Sequence, residues 1–340
     1  MQTFRRFIAF IIGVVFLVSG YTKLIDPVGA SLVVKEYFEW MHMSFMAPTA
    51  SFLGTALALL EAVLGLGLVM GVFRRFMAMA TMTIMAFFTI ISIALVISNP
   101  VMDCGCFGEF VHLSHSQTLI KNIILCAMSA LAFFPIRNLG EARRRKYPLF
   151  FLNLTTLLIV LCYSLISLPY FDFTEYKISN TLVTEIEENT DGAAIFGIRD
   201  SFGEDVSSVI LEGNVALISI YDAEDLDAED FNELAMFAAD AANEGYMPYV
   251  VSTTPVEIPG VECFLGDYKS IISLNRSNGG ATLLEDGYIA DKCAFNFLFE
   301  SEELAEILEE GAPAHFVHRS TERAIFFQMS LLVFVILAIV

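Results

Sequence analysis

Long apolar runs, broken by short polar or basic stretches, fill the first half of the chain, and strand-like and helix-like alternation replaces them in the second. The runs at 7–20, 50–72, 77–98, 119–136 and 149–168 have the length and composition of membrane helices. Val18-Ser19-Gly20 would also suit a signal-peptide cleavage site, but further spans follow it, so a first transmembrane helix is the better reading. Gly67 and Gly71, four apart in the second run, predict a close helix contact. A last run, Ala324 to Val340, predicts a sixth span at the short limit.

Between the fifth and sixth runs the pattern changes period. Val215 to Tyr221 reads as a buried strand, and Ala228 to Glu244 as a helix with Phe231, Leu234, Ala235, Ala238 and Ala242 on one face. Tyr249 to Ser252 is a strand, Asp267 to Leu274 a short helix, and Ala281 to Lys292 a hairpin turning at Asp286-Gly287. Ser301 to Glu310 closes as a helix. The order βαβ, hairpin, helix predicts a thioredoxin-like α/β domain. The predicted organisation is an α-helical membrane bundle over 1–148, a fifth span over 149–171, an acidic extracytoplasmic domain over 172–321 and a sixth span over 322–340.

Composition supports this division. The chain is 56% hydrophobic and only 17% charged, yet its net charge is −20. The acid is concentrated at 172–321, where roughly thirty carboxylates face about six Lys and Arg. Such a domain repels phosphate, which excludes nucleic acid as a partner. Arg5/Arg6, Arg74/Arg75 and Arg143 to Lys146 all fall on one side of the predicted spans. The excess of positive charge in cytoplasmic loops assigns that side to the cytoplasm of a bacterial inner membrane, with the N-terminus inside. The lipid bilayer is then the first partner.

The chemistry centres on Asp103-Cys104-Gly105-Cys106-Phe107-Gly108, between the third and fourth runs and on the outer side. Two thiols one residue apart close only a small, strained ring, which favours electron relay over stapling. His112 and His115 follow, and if protonated they would lower a thiol pKa. The same four residues also offer a ligand set for zinc or copper, and a plain structural turn is the third reading. Glu61, a carboxylate inside the second run, either makes an interhelical hydrogen bond or serves as a site that accepts a proton or contacts a membrane quinone. Cys263 and Cys293 are read as a structural disulfide or a second redox pair, and Cys126 and Cys162 as small apolar residues at matching depth. Tyr21 and Lys23 read as interfacial anchors, and the loop around Trp40 and His42 as an interfacial amphipathic helix.

Two resemblances follow from these residues. Gly20-Tyr21-Thr22-Lys23-Leu24 with Pro27, Glu61 with Gly65 and Gly71, and Cys104-Gly105-Cys106-Phe107-Gly108 resemble the DoxX/MauE group of four-helix membrane proteins. MauE proteins act beside a thioredoxin-like partner in forming the disulfides of methylamine dehydrogenase, so the resemblance implies thiol–disulfide work and a link to methylamine metabolism. Phe196 to Gly203, Val215 to Tyr221 and Thr282 to Gly287 resemble TlpA-type thioredoxin-like domains. Where such a domain has Cys-x-x-Cys, this chain has Asp222-Ala223-Glu224-Asp225, and Gly280-Ala281 replaces its cis-proline. The combined expectation is a membrane thiol–disulfide oxidoreductase working through Cys104 and Cys106, with Glu61 as a candidate proton or quinone contact, and with an extracytoplasmic thiol protein or envelope complex as partner. The alternative is a non-catalytic assembly or scaffold protein that binds through the degenerate domain.

Overall fold

The computed structural model describes residues 2–183, apart from 101, 103, 137, 138, 141 and 143, together with residues 193–311. The predicted sixth span, 322–340, and Asp103 of the cysteine turn lie outside the described residues. The chain forms two compact units that divide at Leu165/Ile166.

The first unit is a helical bundle. α1 (Gln2–Ile25), α3 (Ala50–Met70), α4 (Arg74–Ser98), α5 (His115–Phe133) and α6 (Lys146–Ile166) are long and apolar enough to cross a membrane, and α2 (Pro27–Trp40) is a shorter helix between the first two spans. These are the five predicted runs, with boundaries moved by a few residues. β1 (Cys106–Glu109) is a short extended piece between α4 and α5.

α1 and α3 run antiparallel with their backbones almost touching. A Cβ on Gly20 would lie 2.3 Å from the Ala62 nitrogen, and one on Gly65 would lie 2.3 Å from the Leu17 nitrogen. Small residues at three- and four-residue spacing give each helix a smooth stripe, and without a hydrophobic drive inside lipid such contact supplies the packing. The close contact predicted at Gly67 and Gly71 is found at Gly67 alone, where a Cβ would lie 2.6 Å from the Met77 side chain of α4, whereas Gly71 is the left-handed cap that ends α3. At the opposite end from the cysteine turn, Arg5, Arg6, Arg74 and Lys146 surround one cavity, so the basic residues do gather at one end of the bundle.

The second unit is α/β. Its sheet contains β2 (Thr181–Val183), β3 (Ala193–Ile195), β4 (Ile198–Arg199), β5 (Asn214–Ile220), β6 (Met247–Ser252), β7 (Glu262–Gly266), β8 (Gly280–Glu285) and β9 (Tyr288–Cys293), in the order β3-β2-β9-β8-β5-β6-β7-β4. β5 pairs parallel with β6 and antiparallel with β8, and β8 pairs antiparallel with β9. α7 (Ala228–Asn243) connects β5 to β6, α8 (Tyr268–Leu274) precedes the hairpin, and α9 (Ser301–Glu310) follows it. This is the predicted thioredoxin-like arrangement. β5 is buried from Val215 to Ile220 because helices and loops cover both faces, so it reads as a continuous apolar run.

One prediction fails here. Cys263 lies in β7 and Cys293 ends β9, with β6, β5 and β8 between them. At about 4.8 Å per strand the two are separated by roughly 19 Å, far beyond the reach of a disulfide. Both are free thiols, and burial pushes Cys293 up to about 12, which leaves it unreactive. They form neither a structural disulfide nor a second redox pair.

Candidate functional site

The helix contact that brings Gly20 against Ala62 also decides what Glu61 and Lys23 can do. Lys23 lies one turn beyond Gly20 on the same face of α1, and Glu61 is beside Ala62 on the facing stripe of α3. Lys23 Nζ donates to Glu61 Oε1 at 2.9 Å and to Oε2 at 2.8 Å. The two residues are only 8% and 2% exposed. Lys23 is thus a buried ion-pair partner rather than the interfacial anchor expected, and pairing is what makes a carboxylate tolerable at this depth.

Ser19, one turn before Lys23, connects this pair to the cysteine turn. Its Oγ is 2.7 Å from Glu61 Oε2 and 2.5 Å from the Cys106 carbonyl oxygen. A hydroxyl has one hydrogen, so it serves one of these acceptors at a time. Across the turn, the Tyr37 hydroxyl of α2 donates to the Cys104 carbonyl at 3.1 Å. Gly105 has φ +61, and a Cβ there would meet Val33 of α2 at 2.3 Å, so the turn closes onto α2 only because this residue is glycine. The segment expected to lie at the membrane interface instead forms a wall of the site: Val33 and Tyr37 of α2 line the same cavity as the cysteines.

The thiols are not equivalent. Cys104 is buried, whereas Cys106 is partly exposed. Thr118 Oγ, in the first turn of α5, donates to Cys104 Sγ at 2.9 Å and lies 4.0 Å from Cys106 Sγ. The hydrogen bond from Cys104 lowers the Cys106 thiol to about 5; burial opposes this, and the positive charges of Lys121 and Lys23 add to it. Cys104 is raised, first because it keeps its proton to donate to Cys106 and then because it is buried. One proton shared between two sulfurs therefore leaves a thiolate on Cys106 and a thiol on Cys104. The Tyr37 hydroxyl is raised by burial and by the two nearby sulfurs, so it remains a donor.

The histidines take no part. His112 lies 3.9 Å from Glu109, and the Nε2 of His115 lies 3.0 Å from the Pro100 carbonyl oxygen. Among the described residues no group of three or more His, Cys, Asp or Glu side chains gathers as a metal site, which corrects the zinc or copper reading of Cys104, Cys106, His112 and His115. The cation that acts on Cys106 is Lys121, whose Nζ also lies 5.0 Å from the centre of the Phe107 ring. Ser19, Tyr37, Thr118 and Lys121 were all missed in the sequence. The spacing Ser19/Lys23 and Thr118/Lys121, polar pairs on one helical face inside apolar runs, was the signal available.

All of these groups border one mostly apolar chamber of about 330 Å³, with Glu61, Lys23, Cys104, Cys106, Lys121 and Asn122 as its polar rim. Asn122 is held by Ser92 at 2.6 Å. The chamber is large enough for a planar ring of drug-like size. Cys126 is half-buried in α5 and Cys162 is on the exposed face of α6, both as free thiols outside this set.

In the second unit, the position of the missing dithiol is occupied by a hydrogen-bonded tie. Asn278, just before β8, accepts from the Tyr221 and Asp222 backbone N–H groups at 3.0 and 3.1 Å and donates to the Asp222 carbonyl at 2.6 Å. A Cβ on Gly280 would lie 2.6 Å from Asn275 Oδ1, so the backbone where a cis-proline is expected packs against a side chain. Nearby, Lys292 Nζ lies 2.8 Å from Asp172 Oδ2.

Protein TlpB of Flavobacterium psychrophilum is 24% identical over 179 residues, covering 52% of this chain and 48% of that protein. This chain thus spans about half the length of the curated relative it matches. No solved structure matches. Residues 1–135, from the start of the chain to just past α5, match the family model described as methylamine utilisation protein MauE, so the part of the chain that holds both thiols and the buried ion pair is a MauE-like membrane bundle.

Proposed function

We propose that this integral membrane protein is a thiol–disulfide relay in which Cys104 and Cys106 alternate between disulfide and dithiol. The observation that carries the reading is the asymmetry of the pair: a partly exposed, low-pKa sulfur beside a buried sulfur that keeps its proton, both on one chamber. In the oxidised state, a thiolate of an extracytoplasmic partner attacks Cys106 Sγ, the more accessible sulfur, and displaces Cys104, which takes up a proton. The partner's second thiolate then closes the partner's own disulfide and expels Cys106. A low-pKa thiol leaves readily, and Lys121 stabilises the thiolate produced. Two electrons now reside on the pair. They pass to a two-electron acceptor, for which a membrane quinone has the right chemistry: the dithiol returns to the disulfide and the quinone becomes the quinol, taking one proton from Cys104 and one from the medium.

Ser19, Glu61 and Lys23 act as positioning residues, holding the Cys106 backbone through the Ser19 hydroxyl. The gathered basic residues and the loop charges support a bacterial inner-membrane topology with the N-terminus in the cytoplasm and 172–321 outside. The α/β unit, with Asp222 to Asp225 in place of a dithiol, then serves to bind an envelope partner rather than to exchange electrons.

The test is reoxidation of a reduced thiol substrate by membranes containing the full chain. Wild type should drive it with added quinone, and Cys104→Ser/Cys106→Ser should not. If the double variant supports the same rate, the relay is wrong and the scaffold reading takes its place.

A further inference from the structure

The chamber has a neighbour. A second apolar recess of about 490 Å³ lies on the outer faces of α1 and α5, and it shares Val15, Phe107, Lys121 and Leu125 with the thiol chamber. Ile120 and Ile124, which line the recess alone, are 58% and 53% exposed. On a membrane-spanning helix, such apolar exposure faces acyl chains. The partition between the two spaces includes the Phe107 ring with Lys121 against it, and Lys121 is also the cation beside Cys106.

We propose that the thiol chamber is reached sideways from the lipid, between α1 and α5, by an apolar, membrane-dissolved two-electron acceptor whose polar ring seats at Cys106 and whose tail remains in the outer recess. The occupant's class follows from the walls. A charged oxidant would have to shed its water along an apolar path, which opposes its entry. A protein cannot enter a space of this size. A molecule with a small polar redox head and an apolar tail meets both conditions, because its tail never leaves lipid. Phe107 acts as the gate: a ring held by a cation can swing without breaking a backbone hydrogen bond of either helix. The acceptor's identity rests on the relay reading above, whereas the route rests only on the two shared-wall spaces.

The route can be read without any redox turnover. The full chain, in a Cys126→Ala/Cys162→Ala background, is reconstituted in phosphatidylcholine vesicles and reduced. It is then treated with either a hexadecyl-maleimide dissolved in the bilayer or a sulfonated, water-soluble maleimide. Labelling of Cys106 is followed by mass spectrometry of the peptide. Val15→Trp, which fills the shared wall, should slow the lipid-borne reagent about tenfold or more and leave the aqueous reagent unchanged. An unchanged lipid-borne rate overturns the proposal, as does an equal slowing of both. If Val15→Trp does not fold, Phe107→Ala decides: it should speed the lipid-borne reagent selectively, and no selective gain refutes the gate. Failure here leaves the relay standing, since the relay depends on Cys104 and Cys106 changing oxidation state. Thiols that label from lipid but never change state would instead keep the route and remove the relay.

Discussion

Among the described residues each unit holds a lysine–carboxylate pair, and the two pairs have different neighbours. In the bundle, Lys23 donates to Glu61 and, at 3.4 Å, to the Ser19 hydroxyl, which in turn reaches the Cys106 carbonyl oxygen. In the α/β unit, Lys292 pairs with Asp172, whose other oxygen accepts from the Thr174 N–H and hydroxyl at 2.9 and 2.6 Å. The first pair frames the sulfur proposed as the relay thiol; the second pins the segment that follows α6 to the hairpin. The same contact thus borders the proposed site in one place and ties architecture in the other. The thioredoxin-like shape persists where Asp222 to Asp225, tied to Asn278, stand in place of the dithiol, while the Cys104/Cys106 thiols sit in a membrane bundle of quite different form. Shape and chemistry have separated within one chain.

Breaking the bundle pair should have the largest effect. Glu61→Gln leaves the Lys23 charge buried without its counter-ion, which costs about 3–5 kcal/mol. Detergent-solubilised protein should unfold at markedly lower temperature, and an unchanged midpoint would mean that the pair is solvated. Next comes the helix contact that sets the pair's register. Gly65→Ala places a methyl group against the Leu17 backbone and should destabilise the bundle by about 1–3 kcal/mol, measured in the same assay. A Cβ on Gly71 would meet only the ends of the Arg6 and Arg74 side chains, at an ordinary 3.7 Å, so Gly71→Ala serves as a contrast, its own cost arising from a left-handed backbone.

A third change probes the thiol itself. Cys106 alkylation should follow a single titration with its midpoint at about 5. Lys121→Met removes a charge that favours the thiolate, so the midpoint should rise, by about one unit or ~1.4 kcal/mol. No movement would show that Lys121 is not the stabilising cation. The smallest effect is expected from the second ion pair under acid. Burial works against both charges there, lowering Lys292 and opposing ionised Asp172. The Lys292 charge and the Thr174 donors nonetheless hold the Asp172 carboxyl below its ordinary value. A carboxyl depressed on folding stabilises the native state above its unfolded pKa and loses that contribution as pH falls through the folded value. The α/β unit should therefore weaken below about pH 4. Asp172→Asn should remove that acid dependence and leave Cys106 labelling unaltered.

Spans and sheet were legible because period is a local property. The five apolar runs and the β5–α7–β6 unit follow from composition within a dozen residues. The site was legible only in its sulfurs and Glu61. Cys104-Gly105-Cys106 is a local signature, but Lys23 meets Glu61 across 38 residues, and Thr118 meets Cys104 across 14. Such meetings depend on which helix faces touch, and small residues can set that at Gly67/Gly71 as readily as at Gly20/Gly65. The wrong pairing of Cys263 with Cys293 has the same origin: β7 was not recognised, and one strand's position in a sheet decides what its cysteine can reach.

The account stands on Cys104 and Cys106 being a redox couple. Rapid acid quenching of membranes, alkylation and mass spectrometry of the peptide spanning both residues measures this directly. It should find a Cys104–Cys106 disulfide that converts to the dithiol on adding reductant and returns on adding quinone. A pair that remains in one state under both treatments would contradict the account.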